Sequence, residues 1–148
     1  MSSDLSIERV HRDVIHEFRR REHGRRGKGR RPFKGDMAST TRHWAALEDG
    51  VVVGCVSVMQ LRGHALRGMA VAEARRRQGI GARMLRVVCA EVDAPIWCNA
   101  RAEAVAFYTN RGWAEAGPTF ELRDRGTHQR LTWTKALAGT ETPRADAI

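Results

Sequence analysis

Apolar and polar positions change their period several times along this chain, and each change marks an element. Leu5–Val10 reads as a short strand. Val14, Ile15 and Phe18 then fall on one face at helical spacing, which predicts a helix over His11–Glu22. A hairpin follows farther on, with His43–Glu48 as its first strand, the Asp49-Gly50 pair as its turn and the β-branched run Val51–Met59 as a buried second strand. Gly54 inside that run marks a bulge or the close approach of another backbone. Leu66–Val71 is a further short strand.

The second half alternates in the same way. Met84, Leu85, Val88 and Val92 form an apolar face with Arg83, Arg86 and Glu91 elsewhere, so Gly79–Asp93 is predicted as an amphipathic helix, broken by Pro95. Ile96–Cys98 reads as a strand. Arg101–Arg111 reads as a helix packed through Ala104, Phe107 and Tyr108, with Gly112 as its stop behind a cationic last turn. Trp113–Gly117 and His128–Lys135 close a sheet. Trp44, Trp97, Trp113 and Trp133 lie in or beside strands and are expected in the core. No repeat occurs, so residues 1–137 read as a single domain, followed by a flexible tail over 138–148.

One stretch conflicts with its own prediction. AEARRRQGIGARML, Ala72–Leu85, starts a helix, yet it puts Gly79 and Gly81 in the first turn and holds no Ser, Thr, Asp or Asn between residues 72 and 83 to cap it. A helical glycine costs about 1 kcal/mol relative to alanine. The first N–H groups of a helix lack intrahelical partners and carry a partial positive charge, so an anion can complete them. Glycine there lets a bulky ligand approach the backbone. The expectation is a diphosphate cradle after Val71, with Arg75, Arg76 and Arg77 adding charge-assisted contacts.

Charge changes the picture next. The 148 residues carry a net +9, and Arg19–Lys34 (RRREHGRRGKGRRPFK) holds nine Lys/Arg against one acid, leaving seventeen basic and sixteen acidic residues elsewhere. A basic, Gly-rich arm therefore carries the imbalance, and residues 24–35 are expected to be a mobile loop. Such an arm is a solvated surface or an attractor of an anionic partner. It holds Phe33 as its only aromatic residue, without the basic and aromatic interleaving of a nucleic-acid stacking platform, which argues against nucleic acid. No apolar run approaches the roughly 20 residues of a membrane span, so a cytoplasmic protein without membrane contact is expected. Cys55, Cys89 and Cys98 sit in apolar segments without a C-x-x-C pair and are expected as buried thiols, with no metal.

The phosphate loop narrows by elimination. Neither the Walker string G-x-x-x-x-G-K-[ST] nor G-x-G-x-x-G occurs, because Gly81 is followed by Ala82, Arg83 and Met84. What remains, strand then Arg76-Arg77-Gln78-Gly79-Ile80-Gly81 then helix, resembles the R/Q-x-x-G-x-G/A acetyl-CoA loop of the GNAT family of N-acetyltransferases. NARAEAVAFYTNRGW resembles that family's second motif, an A-x-x-F-Y segment ahead of a Gly-aromatic pair. GPTFELRDRGTHQRL is similar to a bacterial subgroup with Phe-Glu and Gly-x-His near the C-terminus.

The resemblance implies an α/β fold: a central mixed, mostly antiparallel sheet of six or seven strands with helices on both faces. It implies acetyl-CoA as co-substrate and an amine acceptor, and family members often form homodimers. Met69, Ala70 and Val71 would pair with the pantetheine arm. Arg76, Arg77, Gln78, Gly79, Ile80, Gly81 and Ala82 would hold the pyrophosphate. Tyr108, the only tyrosine in the chain, falls where the family places a general acid that protonates the departing thiolate. The family often has Asn seven residues before that Tyr; here Arg101 stands there and Asn99 two residues earlier, both as candidate cofactor contacts.

The general base is unassigned among Glu48, His64, Glu73, Glu121 and His128. In this family the region of the basic arm walls the acceptor cleft, which favours an acceptor carrying a carboxylate or phosphate over a polycation. Two other readings stay open: a non-catalytic acetyl-CoA or acyl-CoA binding module, and a nucleic-acid-binding protein using the 19–34 arm.

Overall fold

In the computed structural model, residues 4–24 and 35–135 are described. The strands are β1 (Leu5–Val10), β2 (Arg42–Glu48), β3 (Val51–Gln60), β4 (His64–Val71), β5 (Ile96–Arg101), β6 (Ala114–Glu115), β7 (Phe120–Leu122) and β8 (Gly126–Trp133). The α-helices are α1 (Arg12–Gly24), α2 (Ile80–Glu91) and α3 (Val105–Thr109). Two compact units result: Met1–Leu61 with Leu66–Glu91, and Arg62–Ala65 with Val92–Ile148.

In the first unit, β1, β2, β3 and β4 lie side by side. The predicted hairpin forms, with Asp49 and Gly50 both left-handed at its turn. The β2–β3 register slips between Ala46, opposite Gly54, and Leu47, opposite Val52, so Val53 is the extra residue of a bulge. A Cβ on Gly54 would stand 3.3 Å from the Ala70 carbonyl and 3.1 Å from Met84 Cε, so the expected close approach is present as well.

Alternation along β2 and β3 decides which helix covers which face. Ile15 and Phe18 of α1 pack on Ala45 and Cys55. The neighbouring position, Trp44, points the other way and donates from Nε1 to Glu91 Oε1 of α2 at 2.9 Å, while Met84 of α2 covers Gly54. The apolar stripe of α2 is Ile80, Met84, Leu85, Val88 and Cys89. Each such fully buried side chain contributes about 1.5–3 kcal/mol.

In the second unit, β4 pairs parallel with β5 through His64↔Ile96 and Ala65↔Trp97. β5 and β6 are antiparallel to β8, and β7 forms a hairpin with the start of β8. Ile96, Cys98 and Ala100 face the core together with Leu131, Gln129 and Trp133. Trp44, Trp113 and Trp133 are core residues as expected, whereas Trp97 is half-buried beneath the Arg130 guanidinium, 4.3 Å from its ring centre. The three cysteines are buried thiols, none of them in a disulfide.

Several boundaries differ from expectation. The strand at Ile96 runs on to Arg101, and the helix after it shrinks to a 3-10 turn (Ala102–Ala104) and α3. Arg101 is therefore a strand residue, because the cross-strand ladder to His128 outlasts the helical spacing of its neighbours. Among the described residues there are eight strands where six or seven were expected. Phe120–Leu122 escaped notice because a three-residue strand leaves no periodic signal. Gly112 does end the helix, with φ +91°, and Trp113 N–H donates to the Tyr108 carbonyl at 3.2 Å. Most of the basic loop and the 138–148 tail lie outside the described residues. No helix among the described residues is long and apolar enough to cross a membrane.

Candidate active site

The segment after β4 is built to be open. Ala72 N–H donates to the Val53 carbonyl at 2.8 Å, which ties the strand end to β3, and a 3-10 turn follows at Glu73–Arg75. Residues 73–79 are all exposed; Ile80 then plunges into the core and anchors α2. Arg77 (φ +65°) and Gly79 (φ +81°) are left-handed. The chain turns there rather than starting its helix early.

Gly79 therefore plays a different part from the one expected. It precedes α2, its carbonyl accepts from Arg83 N–H at 3.0 Å, and it occupies the capping position without a side chain. A Cβ at Gly79 would meet nothing within 4 Å, so the left-handed backbone is what calls for glycine. Gly81 and Ala82 occupy the first turn, which holds no acidic residue.

The three loop arginines, expected to act alike, are separated by their partners. Arg75 is ion-paired through Nε with Glu48. Arg76 donates from Nε to the Val71 carbonyl at 3.2 Å. Arg77 stands exposed between them and the helix. Met69, Ala70 and Val71 lie half-buried in β4, beyond the last rung to β5.

Asn99, Arg101 and Tyr108 belong to the second unit. Asn99 and Arg101 are exposed on β5, on the face opposite Cys98. Asn99 Oδ1 accepts from Arg130 Nε at 3.0 Å, the same guanidinium that covers Trp97. Tyr108 is only 8% exposed, wedged edge-on against Phe107 and Trp113 with ring centres 5.0 and 5.2 Å away. Burial, and then the neighbouring Cys98 thiol through charge and hydrogen bonding, push its phenol above the usual range. It stays protonated at any physiological pH.

The base candidates also separate. Glu48 is held by Arg75, and Glu121 accepts from the Thr127 hydroxyl. Glu73 is exposed in the 3-10 turn, and His64 opens β4 opposite Ile96. His128 is buried, its ring stacked on Phe120, and its Nδ1 donates to the Gly126 carbonyl at 2.9 Å.

Sequence reasoning missed a buried polar cluster beneath α1. Arg19, counted with the solvated arm, is 4% exposed and ion-paired with Asp36 at 2.7 Å. Its NH2 reaches Ser57 Oγ at 3.3 Å and the Gly68 carbonyl at 3.1 Å. His43 Nε2 donates to the Asp36 carbonyl at 3.2 Å, so Nδ1 accepts from the Ser57 hydroxyl at 2.6 Å. Burial lowers the His43 pKa, which keeps the ring neutral and the donor order intact. A signal existed: Arg19 lies four residues after Ile15, on the inward face of α1, and Ser57 lies two residues after Cys55, on the inward face of β3.

The model of the acetyltransferase (GNAT) domain matches residues 39–115. The chain belongs to the GNAT acetyltransferase family, whose chemistry is acyl transfer from coenzyme A. The uncharacterized N-acetyltransferase YitI of Bacillus subtilis (strain 168) is 28% identical over 109 residues, 65% of this chain and 72% of that protein. Escherichia coli ElaA has the same fold, with TM-score 0.71 and 15% identity over 88% of this chain and 99% of that one. So does an aminoglycoside 6′-N-acetyltransferase complexed with coenzyme A, with TM-score 0.67 and 14% identity over 87% and 96%.

Proposed function

We propose that residues 1–137 form one cytoplasmic N-acetyltransferase domain that moves the acetyl group of acetyl-CoA to a primary amine of a small molecule or protein. The observation that carries this reading is the turn at Arg76–Gly79, an exposed, cationic loop that opens onto the first turn of α2 and caps it with a residue lacking a side chain. A diphosphate fits those features: it would satisfy helix amides, meet a positive helix end and find Arg77 beside it. The amides of Gly79–Ala82 would hold the phosphates, and the main chain of Met69–Val71 would pair with the pantetheine arm.

Bound acetyl-CoA supplies an activated acyl group as a thioester. Tyr108 would hold a proton at Oη for the departing sulfur, as general acid. An ordinary phenol, near 10, is a weaker acid than a thiol, near 8.5, and burial weakens this one further. Its first contribution is therefore a hydrogen bond to charge developing on sulfur, strengthened by the dry surroundings. An acceptor carrying a carboxylate or phosphate suits the basic segment that follows α1.

The test is titration calorimetry with coenzyme A, followed by thiol release from acetyl-CoA across a panel of amines, amino acids and peptides. Binding and amine-dependent release are expected. Tyr108→Phe should lower kcat by about 10²–10⁴-fold with coenzyme A affinity retained. Binding without release for any amine would favour the non-catalytic module, and no heat at all would remove the reading.

A further inference from the structure

The carbonyl of Gly68 is the convergence point of the buried cluster, and nothing in the proposed chemistry uses that cluster. Gly68 lies inside β4 with φ +65°, a conformation that turns the strand at this residue. Its carbonyl accepts from Arg19 NH2 at 3.1 Å and from the Cys55 thiol at 3.5 Å, both on the α1 side. Arg19 is held in turn by Asp36 at 2.7 Å and by Ser57, and Ser57 by His43. One residue beyond Gly68 begins the segment Met69–Val71.

We propose that Arg19 is a positioning residue for the coenzyme: its guanidinium, fixed by Asp36 and Ser57, grips the Gly68 carbonyl and so sets the direction in which Met69, Ala70 and Val71 present their main-chain groups. This rests on the assignment of those residues to the pantetheine arm.

Two features of the cluster favour positioning over plain stability. A buried ion pair is a poor source of net stability, since two apolar side chains of similar volume often do as well or better. The cluster also uses the fork of the guanidinium: NH1 serves the carboxylate while NH2 serves the carbonyl and the hydroxyl. Lysine could keep the charge pair but not that geometry.

The experiment compares wild type, Arg19→Lys and Asp36→Asn by calorimetry with two probes. One is coenzyme A. The other is adenosine 3′-phosphate 5′-diphosphate, which carries the phosphates but no pantetheine and reads the loop alone. Arg19→Lys should bind coenzyme A about tenfold more weakly, a loss in the range of one charge-assisted hydrogen bond, while its affinity for the nucleotide probe stays at the wild-type value. Asp36→Asn, whose amide oxygen still accepts from Nη1 but without the charge, should lower Tm and weaken coenzyme A by less than Arg19→Lys does, with the affinity for the nucleotide probe unchanged. Wild-type coenzyme A affinity in Arg19→Lys overturns the proposal, as do losses for both probes that follow Tm in both variants. If wild type binds neither probe, the function proposed above falls first and this inference with it.

Discussion

Two arginines donate to carbonyls of the same strand at nearly the same distance, Arg19 to Gly68 at 3.1 Å and Arg76 to Val71 at 3.2 Å. One is buried under α1 with a carboxylate, a hydroxyl and a carbonyl around it. The other is exposed at the mouth of the loop. The bonds look alike on paper, but water competes for one and not for the other. A buried charge that loses a partner bears its full desolvation cost, whereas an exposed one is rehydrated. The same chemistry is therefore fixed structure in one place and open to exchange with water in the other.

Substitutions should expose that difference. The largest effect is expected for Arg19→Met, which leaves the Asp36 carboxylate buried without its guanidinium: a loss of about 3–5 kcal/mol in denaturant unfolding. Arg76→Met should change stability by less than about 0.5 kcal/mol. Equal losses would erase the contrast.

Acidification probes the same cluster without mutation. Burial depresses the pKa of His43, so below the ordinary 6.5 the unfolded chain takes up a proton that the folded one refuses. Stability contributed by the neutral ring is complete above that pH and declines as pH falls below it. Thermal unfolding followed from pH 7.5 to 5.5 should show this decline, and His43→Gln should flatten it.

Smaller effects belong to the loop. Arg75→Ala removes the partly exposed partner of the Glu48 carboxylate, which is itself largely buried, and should cost about 1–3 kcal/mol, less than Arg19→Met because the arginine is open to water. Arg77→Ala should leave unfolding unchanged within about 0.5 kcal/mol while weakening coenzyme A several-fold, by calorimetry at low and high salt. A stability loss larger than that of Arg75→Ala would show that Arg77 is a structural residue after all.

Legibility in the sequence followed the same division. The hairpin, the close approach at Gly54 with the bulge beside it, the stripe of α2 and the glycine stop after α3 were readable, because each depends on residues close in the chain or on one periodicity. The turn ahead of α2 was readable for the same reason, although Gly79 is needed there for its backbone angle rather than for room. The cluster was not, since His43, Ser57, Asp36 and Arg19 come from β2, β3, a turn and α1. Counting charges placed Arg19 in a solvated arm, and only the packing of α1 on Ala45 and Cys55 moved it inside.

What the sequence alone determined is therefore the local grammar: where strands and helices begin, which faces are apolar, and that one helix starts without a cap beside three arginines. Tertiary structure decided which of the charges are already neutralised. Glu48 takes Arg75 and Asp36 takes Arg19, pairings between residues 27 and 17 positions apart in the chain. The strength of a polar contact depends on what else surrounds it, and the surroundings exist only once the chain has folded.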